Sequence, residues 1–357
     1  MTELSSRVIS SLRFPMIAAV IAIHCNFVIY YPELQQKDLF YFLFDLTETL
    51  ICVSVPIFFF ISGYLFFKEG TLDYDLYKKK ITKRVHSLVI PYILWNAIYF
   101  IIIAILQLAI PGFMFILHKS ILLFSWQDYL WIFWDISKIS HLPSDQASCL
   151  VGAFWFLQCL FLMCLISPIL YVFIKYLKKA FIIIPLSIFF FFNFGLFAPG
   201  INSEAIIFFS IGAYLSIMKI DFACYLQRIP LWLSLVIMIL MMLCIVYDCN
   251  SYINLLCTLL LQISVLCIFS NLGKRTYWMN NNYLIGSIFF IFAIHRMFTA
   301  TLIRISGKVI GILDNDVLLY FYYLLVIAIA ILMSLLSYHV MLRLFPRLTN
   351  LLNGNRL

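Results

Sequence analysis

Residues 13–24 read Arg-Phe-Pro-Met-Ile-Ala-Ala-Val-Ile-Ala-Ile-His, an apolar stretch that begins with a cation and ends with an imidazole. Eleven positions are close to three helical turns, so Arg13 and His24 would lie on one helix face, about 16 Å apart along the axis. That separation is about half the thickness of the hydrocarbon core of a bilayer. Ionisable groups are costly inside a membrane, and a pair like this one points to a functional site.

The composition of the whole chain indicates a membrane protein. Of its 357 residues, 64% are hydrophobic and 11% are charged, and the mean hydropathy is +1.04. Soluble domains carry about 25% charged residues. The apolar runs are long and continuous, whereas transmembrane barrels show short alternating segments. The sequence therefore predicts an all-α fold, a polytopic transmembrane helical bundle. The first apolar run lacks a cleavage pattern, so we expect it to remain as an anchor.

Hydropathy predicts about ten spans in a single integral-membrane domain, residues 1–357, with no separate soluble domain. The predicted spans are 13–31, 47–67, 86–110, 151–174, 180–197, 202–218, 229–247, 252–270, 283–302 and 317–345. Most of the 24 Lys and Arg residues then fall on one side, which predicts both termini in the cytoplasm. The same asymmetry accounts for the net charge of +8 without nucleic acid as a partner. The tail after Pro346 is too short to fold alone.

One long connection, residues 112–150, is predicted to lie outside. Its stretch 121–136 contains Trp126, Trp131 and Trp134. Tryptophan favours the membrane–water interface, so this stretch is expected to form an amphipathic interfacial helix. Two roles stay open for that helix: a surface anchor, or a lid or wall over a substrate site.

Two histidines fall near the predicted mid-depth of spans, His24 in the first and His295 in the ninth. A neutral imidazole can take a proton from a hydroxyl that attacks a carbonyl, which is general-base chemistry suited to a pKa near neutral. The alternative for each is a packing residue held by a hydrogen bond. Arg296 is expected in the outer half, where its long side chain can reach outward.

Cations at the inner ends of two spans are candidates for binding phosphate. Residues 78–84, here called the basic run, hold five cations in seven positions, among them Lys80, Lys83 and Arg84. The run is either a topology and anionic-lipid determinant or a landing site for a polyanionic nucleotide such as coenzyme A. Arg13 is either an inner-surface anchor or a fork of donors for phosphate. No His, Asp or Glu cluster has metal-ligand spacing, so no metal is expected.

Several segments, taken in order, resemble the acyltransferase-3 family of bacterial integral-membrane acyltransferases. Each piece is short, and the specificity lies in their combination along nearly the whole chain. The matching pieces are Arg13-x10-His24, Val55-Pro-Ile-Phe-Phe-Phe-Ile-Ser-Gly-Tyr64, the basic run up to Ile90-Pro91-Tyr92, Trp155-Phe156-Leu157, Gly212-Ala-Tyr-Leu215 and Ser287 to His295.

The resemblance implies a ten- or eleven-span bundle in the bacterial inner membrane. It implies transfer of an acyl group, usually acetyl, from acyl-coenzyme A as co-substrate to a hydroxyl of a surface polysaccharide or lipid-linked sugar, with no permanently bound cofactor. His24 would be the catalytic residue, and Arg13, Lys80, Lys83 and Arg84 would hold the donor. Tyr64, Trp155 and His295 become candidates for binding the acceptor.

Two departures from the family pattern bear on these expectations. Many relatives carry R-x-x-R where this chain has Arg84 followed by Ser87, so the second phosphate contact would have to come from Lys80 or Lys83. Many also have Val-Asp where this chain has Val55-Pro56. In this feature the chain resembles the branch that includes the enterobacterial common antigen O-acetyltransferase.

Two other classes of protein remain open from the sequence. A proton-coupled transporter or flippase of a lipid or sugar would also use histidines at the centre of its spans. A binding or scaffold protein would need neither His24 nor Arg13 beyond stability. Chemical change of the substrate separates the enzyme from both. The sequence leaves the oligomeric state open.

Overall fold

The computed structural model describes residues 2–110, 117–141, 148–192, 197–248, 250–273 and 282–355. The described chain is almost entirely helical. Its helices are α1 Glu3–Ile23, α2 Phe27–Tyr30, α3 Asp38–Ile51, α4 Ser54–Phe66, α5 Tyr74–Arg84, α6 Ile90–Ala109, α7 Trp126–Trp134, α8 Trp155–Leu165, α9 Ser167–Leu177, α10 Ile183–Phe192, α11 Ser203–Ile217, α12 Phe222–Leu226, α13 Leu231–Val246, α14 Ser251–Leu272, α15 Asn282–Ile310, α16 Asp316–Leu344 and α17 Pro346–Leu352. Two antiparallel strands of two residues, β1 Phe197–Ala198 and β2 Ile201–Asn202, precede α11.

Long apolar helices confirm a multi-pass membrane protein. Within the described ranges, six are long and apolar enough to cross a bilayer, and a seventh arises if Gly152–Leu165 and Ser167–Ile188, bent by 58°, form one broken span. Two shorter apolar helices are Ser203–Ile217 and Leu231–Val246. The count of ten spans and the cytoplasmic termini stay predictions, and residues 193–196 of the predicted span 180–197 lie outside the described residues. The six long helical stretches are Glu3–Tyr30, Asp38–Phe66, Tyr74–Ala109, Tyr252–Leu272, Tyr283–Ile310 and Asp316–Leu344.

The chain divides into two compact units, and the division falls inside α4. The first unit is Met1–Ile61 with Met218–Leu344, and the second is Ser62–Ile217 with Phe345–Leu357. Each unit therefore combines segments that are distant in sequence. The single membrane domain expected from hydropathy is neither confirmed nor contradicted by this division.

The first unit is organised around α1. This helix packs against α15, α3, α14 and α12, while α13 pairs with α14 and α15 pairs with α16. Its N-terminus is fixed by Asp221, which accepts hydrogen bonds from the side chains of Thr2 and Ser5. Leu12, Ile21 and other apolar side chains of α1 are fully buried. Because it is held along its whole length, α1 is a rigid support for the residues at its C-terminal end.

In the second unit, a close contact between two helices depends on one glycine. A Cβ built on Gly63 of α4 would lie 2.1 Å from the carbonyl oxygen of Phe209 in α11. Only a residue without a side chain allows two helix backbones to approach this closely, as in other membrane helix pairs. The structure thus gives a reason for the Ser62-Gly63 pair in the span.

The predicted outer connection is partly described. Within the predicted interfacial stretch 121–136, the α-helix is shorter, Trp126–Trp134. Trp126, Leu130 and Trp134 recur every four residues and are exposed, whereas Ile132 is buried in a cluster with Ile103. Such a one-sided apolar face suits the membrane interface. Its placement there stays a prediction, and residues 112–116 and 142–147 of the connection lie outside the described residues.

The basic run of α5 leads into a π-helical turn, Val85–Val89. Pro91 has no N–H for the carbonyl four residues earlier, so the regular ladder cannot continue past it. The N–H of Ile90 instead reaches back five residues to the carbonyl of Val85. The turn that follows Arg84 is therefore a consequence of the proline in the next helix.

The C-terminal segment packs on this π-helical turn. The indole N–H of Trp95 donates to the carbonyl of Leu352 at 3.0 Å. Gly354 has a φ of +70°, and a Cβ there would lie 2.5 Å from the carbonyl oxygen of Ser87. The tail after Pro346 is thus a docked helix and C-terminal cap within the second unit, although it is too short to fold alone.

We expect Gly63→Val to lower the stability of the protein. The new side chain would overlap the backbone of α11, and overpacking of this kind costs about 1–3 kcal/mol. Thermal unfolding in detergent measures the effect. Gly152→Ala is the matched control, because a Cβ at Gly152 meets no atom within 4 Å. Equal melting temperatures for the two variants would contradict the close helix contact.

Candidate functional site

The first candidate site residue lies at a helix break. α1 ends at Ile23, and His24 forms its C-cap with φ −85° and ψ −1°. The short helix α2 begins three residues later, with Asn26 as its N-cap. Arg13 therefore lies in the middle of α1 and His24 at its C-terminal end, so the sequence correctly placed both on one helix. The break itself was not predicted, since 13–31 was read as one uninterrupted span.

Three side chains meet at this break, and we call them the histidine–arginine cluster: His24, His295 and Arg296. The rings of His24 and His295 stack with centroids 5.1 Å apart and an interplanar angle of 27°. Nη1 of Arg296 lies 3.2 Å from Nδ1 of His24. His295 is completely buried, and His24 and Arg296 are half-buried. The two histidines predicted at mid-depth therefore do meet, in the first unit.

The hydrogen bonds of the cluster fix the tautomer of both neutral rings. A guanidinium has only donors, so Nδ1 of His24 accepts from Arg296 and the ring proton is on Nε2. Nδ1 of His295 faces the carbonyl oxygens of Phe292 at 2.8 Å and Ile291 at 3.3 Å, so it carries the proton. Nε2 of His295 is left as an acceptor with no hydrogen-bond partner among the described residues. The two rings thus present opposite nitrogens as acceptors.

A second set of polar contacts holds the helix break in place. The side chain of Asn26 accepts from the N–H of Ile29 at 2.9 Å and also hydrogen-bonds Glu48 of α3. Glu48 in turn accepts from the hydroxyl of the fully buried Tyr323 at 3.1 Å. Because Asn26 is two residues from His24, this chain of contacts fixes the backbone on which the imidazole is carried.

The basic run belongs to the second unit. Lys80 donates to the carbonyl of Phe66 and forms an ion pair with Glu69. Arg84, one turn further on, donates to the buried thiol of Cys164, while Lys83 is exposed. Lys80 and Arg84 thus lie on one helix face, and both already have protein partners. Any phosphate that they bind must compete with those partners.

The remaining predicted site residues are divided between the units. Arg13 is half-buried on α1 in the first unit, with His24 and His295. Tyr64, which is buried in α4, and Trp155, which begins α8 and is half-buried, belong to the second unit. The structure therefore brings together one catalytic and one acceptor candidate, His24 and His295. No metal-binding group of three ligands is present among the described residues.

Sequence reasoning missed three members of this site. Arg296 was given only the option of reaching outward, and its guanidinium contacts His24. Glu48 and Asn26 were not assigned a role. Glu48 did carry a usable signal, because a carboxylate in an apolar stretch is as unusual as a histidine there. The second span was predicted from residue 47, whereas the helix begins at Asp38 and places Glu48 well inside it.

Comparison with known proteins assigns this multi-pass protein to a family. A family model described as an acyltransferase domain, acyltransferase-3, matches residues 9–339. Since the match covers most of the chain, the protein belongs to the acyltransferase-3 family. It is similar to the succinoglycan biosynthesis protein ExoH of Rhizobium meliloti, with 29% identity over 110 residues, which is 29% of this chain and 29% of that relative. No solved structure matches.

Replacing Asn26 tests whether the polar contacts support the break. Asn26→Ala removes an N-cap and a hydrogen bond to Glu48, and we expect a loss of about 2 kcal/mol in stability. Asn26→Ser is the matched variant, since it keeps a capping oxygen and loses only the bond to Glu48. Chemical unfolding in detergent should rank wild type above Asn26→Ser and Asn26→Ser above Asn26→Ala. An unchanged midpoint in Asn26→Ala would show that Asn26 is not needed.

Proposed function

We propose that this protein is a membrane-bound O-acyltransferase. In the proposed reaction, an acyl group, acetyl in the first instance, moves from acyl-coenzyme A to a hydroxyl of a cell-surface polysaccharide or a lipid-linked sugar. The observation that carries the proposal is the histidine–arginine cluster at a helix break inside an acyltransferase-3 chain. The word succinoglycan in the name of the curated relative supports an acceptor of the polysaccharide class.

The proposed chemistry replaces a carbon–sulfur bond with a carbon–oxygen bond. The acceptor hydroxyl attacks the thioester carbonyl, the carbon–sulfur bond breaks, and the hydroxyl proton must leave. His24 accepts that proton and returns it to the sulfur of coenzyme A, so no proton is gained or lost. In a variant of this scheme, His24 carries the acyl group itself before the hydroxyl attacks. Acyl label that stays on the protein would separate the two.

The tautomer of His24 defines where the base acts. The lone pair of the neutral ring is on Nδ1, and Arg296 occupies it in the structure. The incoming hydroxyl must therefore take over Nδ1 from one guanidinium N–H before it can lose its proton there. This requirement makes the reaction depend on a bound acceptor, which would limit the transfer of acyl groups to water.

For the donor, we propose that cations hold the phosphates of coenzyme A. The candidates are Arg13 on α1 and, as a separate group, Lys80, Lys83 and Arg84 of the basic run, whose charges suit a polyanionic nucleotide. The donor is then expected on the cytoplasmic side of a bacterial inner membrane, with both termini of a ten-span chain on that side. No permanently bound cofactor is part of the proposal, and the lipid bilayer itself is the surrounding partner.

The proposed activity is tested with labelled donor and membranes that contain the protein. We expect label from radioactive acetyl-coenzyme A to enter the lipid or polysaccharide fraction, and His24→Ala to abolish it, since loss of a general base typically costs about 100-fold or more. His141→Ala is the matched control because His141 is exposed and belongs to the second unit. Undiminished labelling by His24→Ala would refute the role of His24. Substrate that crosses the membrane unmodified would favour a transporter.

Glu69 provides a separate test of the donor-binding cations. Burial, the largest single influence, would raise the pKa of Glu69. The hydrogen bond from Lys80, a backbone hydrogen bond and the charges of Lys80 and Lys68 together outweigh it and hold the pKa below its ordinary value, so the carboxylate is charged and competes with phosphate. We expect Glu69→Gln to free Lys80 and to lower KM for acyl-coenzyme A with kcat little changed. Glu33→Gln, the same change in the first unit, is the control. A rise in KM would show that the ion pair supports the donor site instead of restraining it.

A further inference from the structure

Arg296 is a half-buried cation that forms no ion pair among the residues the structure describes. It lies on α15 inside a membrane-length helix, and among the described residues its guanidinium hydrogen-bonds the neutral ring of His24. A guanidinium has five N–H donors, and a cation without a counter-ion is costly in an apolar interior. A cation retained here at that cost is therefore expected to act on something that binds.

We propose that Arg296 positions His24 and then binds the carbonyl oxygen that becomes negative during acyl transfer. The inference rests on the acyltransferase function proposed above. In the resting protein, one N–H holds the lone pair of Nδ1, which keeps the imidazole neutral with its proton on Nε2. When the acceptor hydroxyl replaces Arg296 as the hydrogen-bond donor to Nδ1, the guanidinium stays beside the reacting atoms. Its N–H groups can then donate to the carbonyl oxygen of the thioester.

The charges of the reaction fit this arrangement. Attack of the hydroxyl on the thioester produces an oxyanion on the former carbonyl oxygen, while the proton moves to His24. Both imidazoles are neutral at the start, so the positive charge of the cluster is on Arg296. That charge is present before the reaction begins, and no proton has to move to create it. Preorganised donors of this kind are often the largest single contribution to acyl transfer. The oxyanion collapses when the carbon–sulfur bond breaks and the thiolate takes the proton from His24.

The neighbouring groups favour this role over a packing role. His295, which precedes Arg296 on α15, is held by the carbonyls of its own helix through Nδ1 and does not compete for the guanidinium. Thr299, one turn further on, donates to the backbone carbonyl of Arg296 at 3.4 Å, which steadies the main chain and leaves the side chain free to move. The long side chain of Arg296 can thus move from Nδ1 of His24 to the carbonyl oxygen of the substrate while its backbone stays fixed.

The first experiment reads the tautomer of His24 without requiring activity. The whole protein is prepared in detergent or nanodiscs with 15N-labelled histidine, and His24→Gln identifies the signals of His24. We expect an unprotonated, hydrogen-bonded Nδ1 and a protonated Nε2 in the wild type. In Arg296→Met, the Nδ1 signal should move to that of a nitrogen without a hydrogen bond or become partly protonated. A proton on Nδ1 in the wild type, or no change on substitution, would overturn the positioning role.

The second experiment measures turnover and its chemical rescue. We expect Arg296→Ala to lower kcat/KM by about 100-fold, the usual loss of an oxyanion donor, and mainly through kcat. Guanidine hydrochloride, far below its denaturing range, should restore part of the rate in Arg296→Ala and none in His24→Ala. Arg296→Lys keeps a positive charge beside the oxyanion, whereas Arg296→Gln does not. We therefore expect Arg296→Lys to retain more activity than Arg296→Gln.

A matched control separates the site from a general effect of removing an arginine. Arg304→Ala changes an exposed arginine two turns further along the same helix, and it should leave the rate and the guanidine response at wild-type levels. Near wild-type turnover in folded Arg296→Ala, or an equal loss in Arg304→Ala, would overturn the proposal. If the wild type transfers no acyl group while the tautomer result holds, the proposed function fails and the positioning of His24 stands.

Discussion

The constraint on which the site depends is that a chain in a membrane must satisfy its own polar groups. An unpaired backbone group in hydrocarbon costs several kcal/mol, so a helix is normally continuous through the bilayer. α1 nevertheless ends at Ile23, with His24 as its C-cap, before the end of a membrane-length stretch of 28 residues. The break is tolerated because Asn26 caps the next helix and is itself held by Glu48 and Tyr323. The polar side chains of α3 and α16 thus permit the irregular backbone that presents the imidazole.

The same physics explains the second unit in a different way. Pro91 removes a donor from the backbone ladder, and the preceding turn widens to a π-helix immediately after Arg84. The carbonyl of Ser87 is then met by Gly354, whose positive φ and missing side chain allow the close approach. The π-helical turn is therefore packed against a C-terminal segment more than 250 positions away in sequence. This contact fixes the backbone at the end of the basic run.

Most of the helical architecture was predictable because long apolar runs have few alternatives in a membrane. The resemblance carried by Arg13-x10-His24 and the later segments led to the family that the comparison confirms over residues 9–339. Hydropathy also predicts His24 and His295 near mid-depth of their spans, and that depth stays a prediction. Their contact was not readable, because hydropathy gives depth and says nothing about which helices are neighbours. The contact of Arg296 was not readable for the same reason: a long side chain near a span end can turn outward or inward, and its neighbours decide which.

The tautomers are a further step beyond any sequence pattern. Two histidines with the same intrinsic chemistry are given opposite protonation patterns by their partners, a guanidinium for His24 and two backbone carbonyls for His295. The positive charge of the cluster is then on Arg296, whose guanidinium donates to the neutral ring of His24. The proton acceptor is His24, and the fixed positive charge is on a different side chain, Arg296. The site therefore does not need a protonated, buried imidazole before the substrate binds. That separation suits a reaction in which a proton leaves one oxygen as negative charge forms on another.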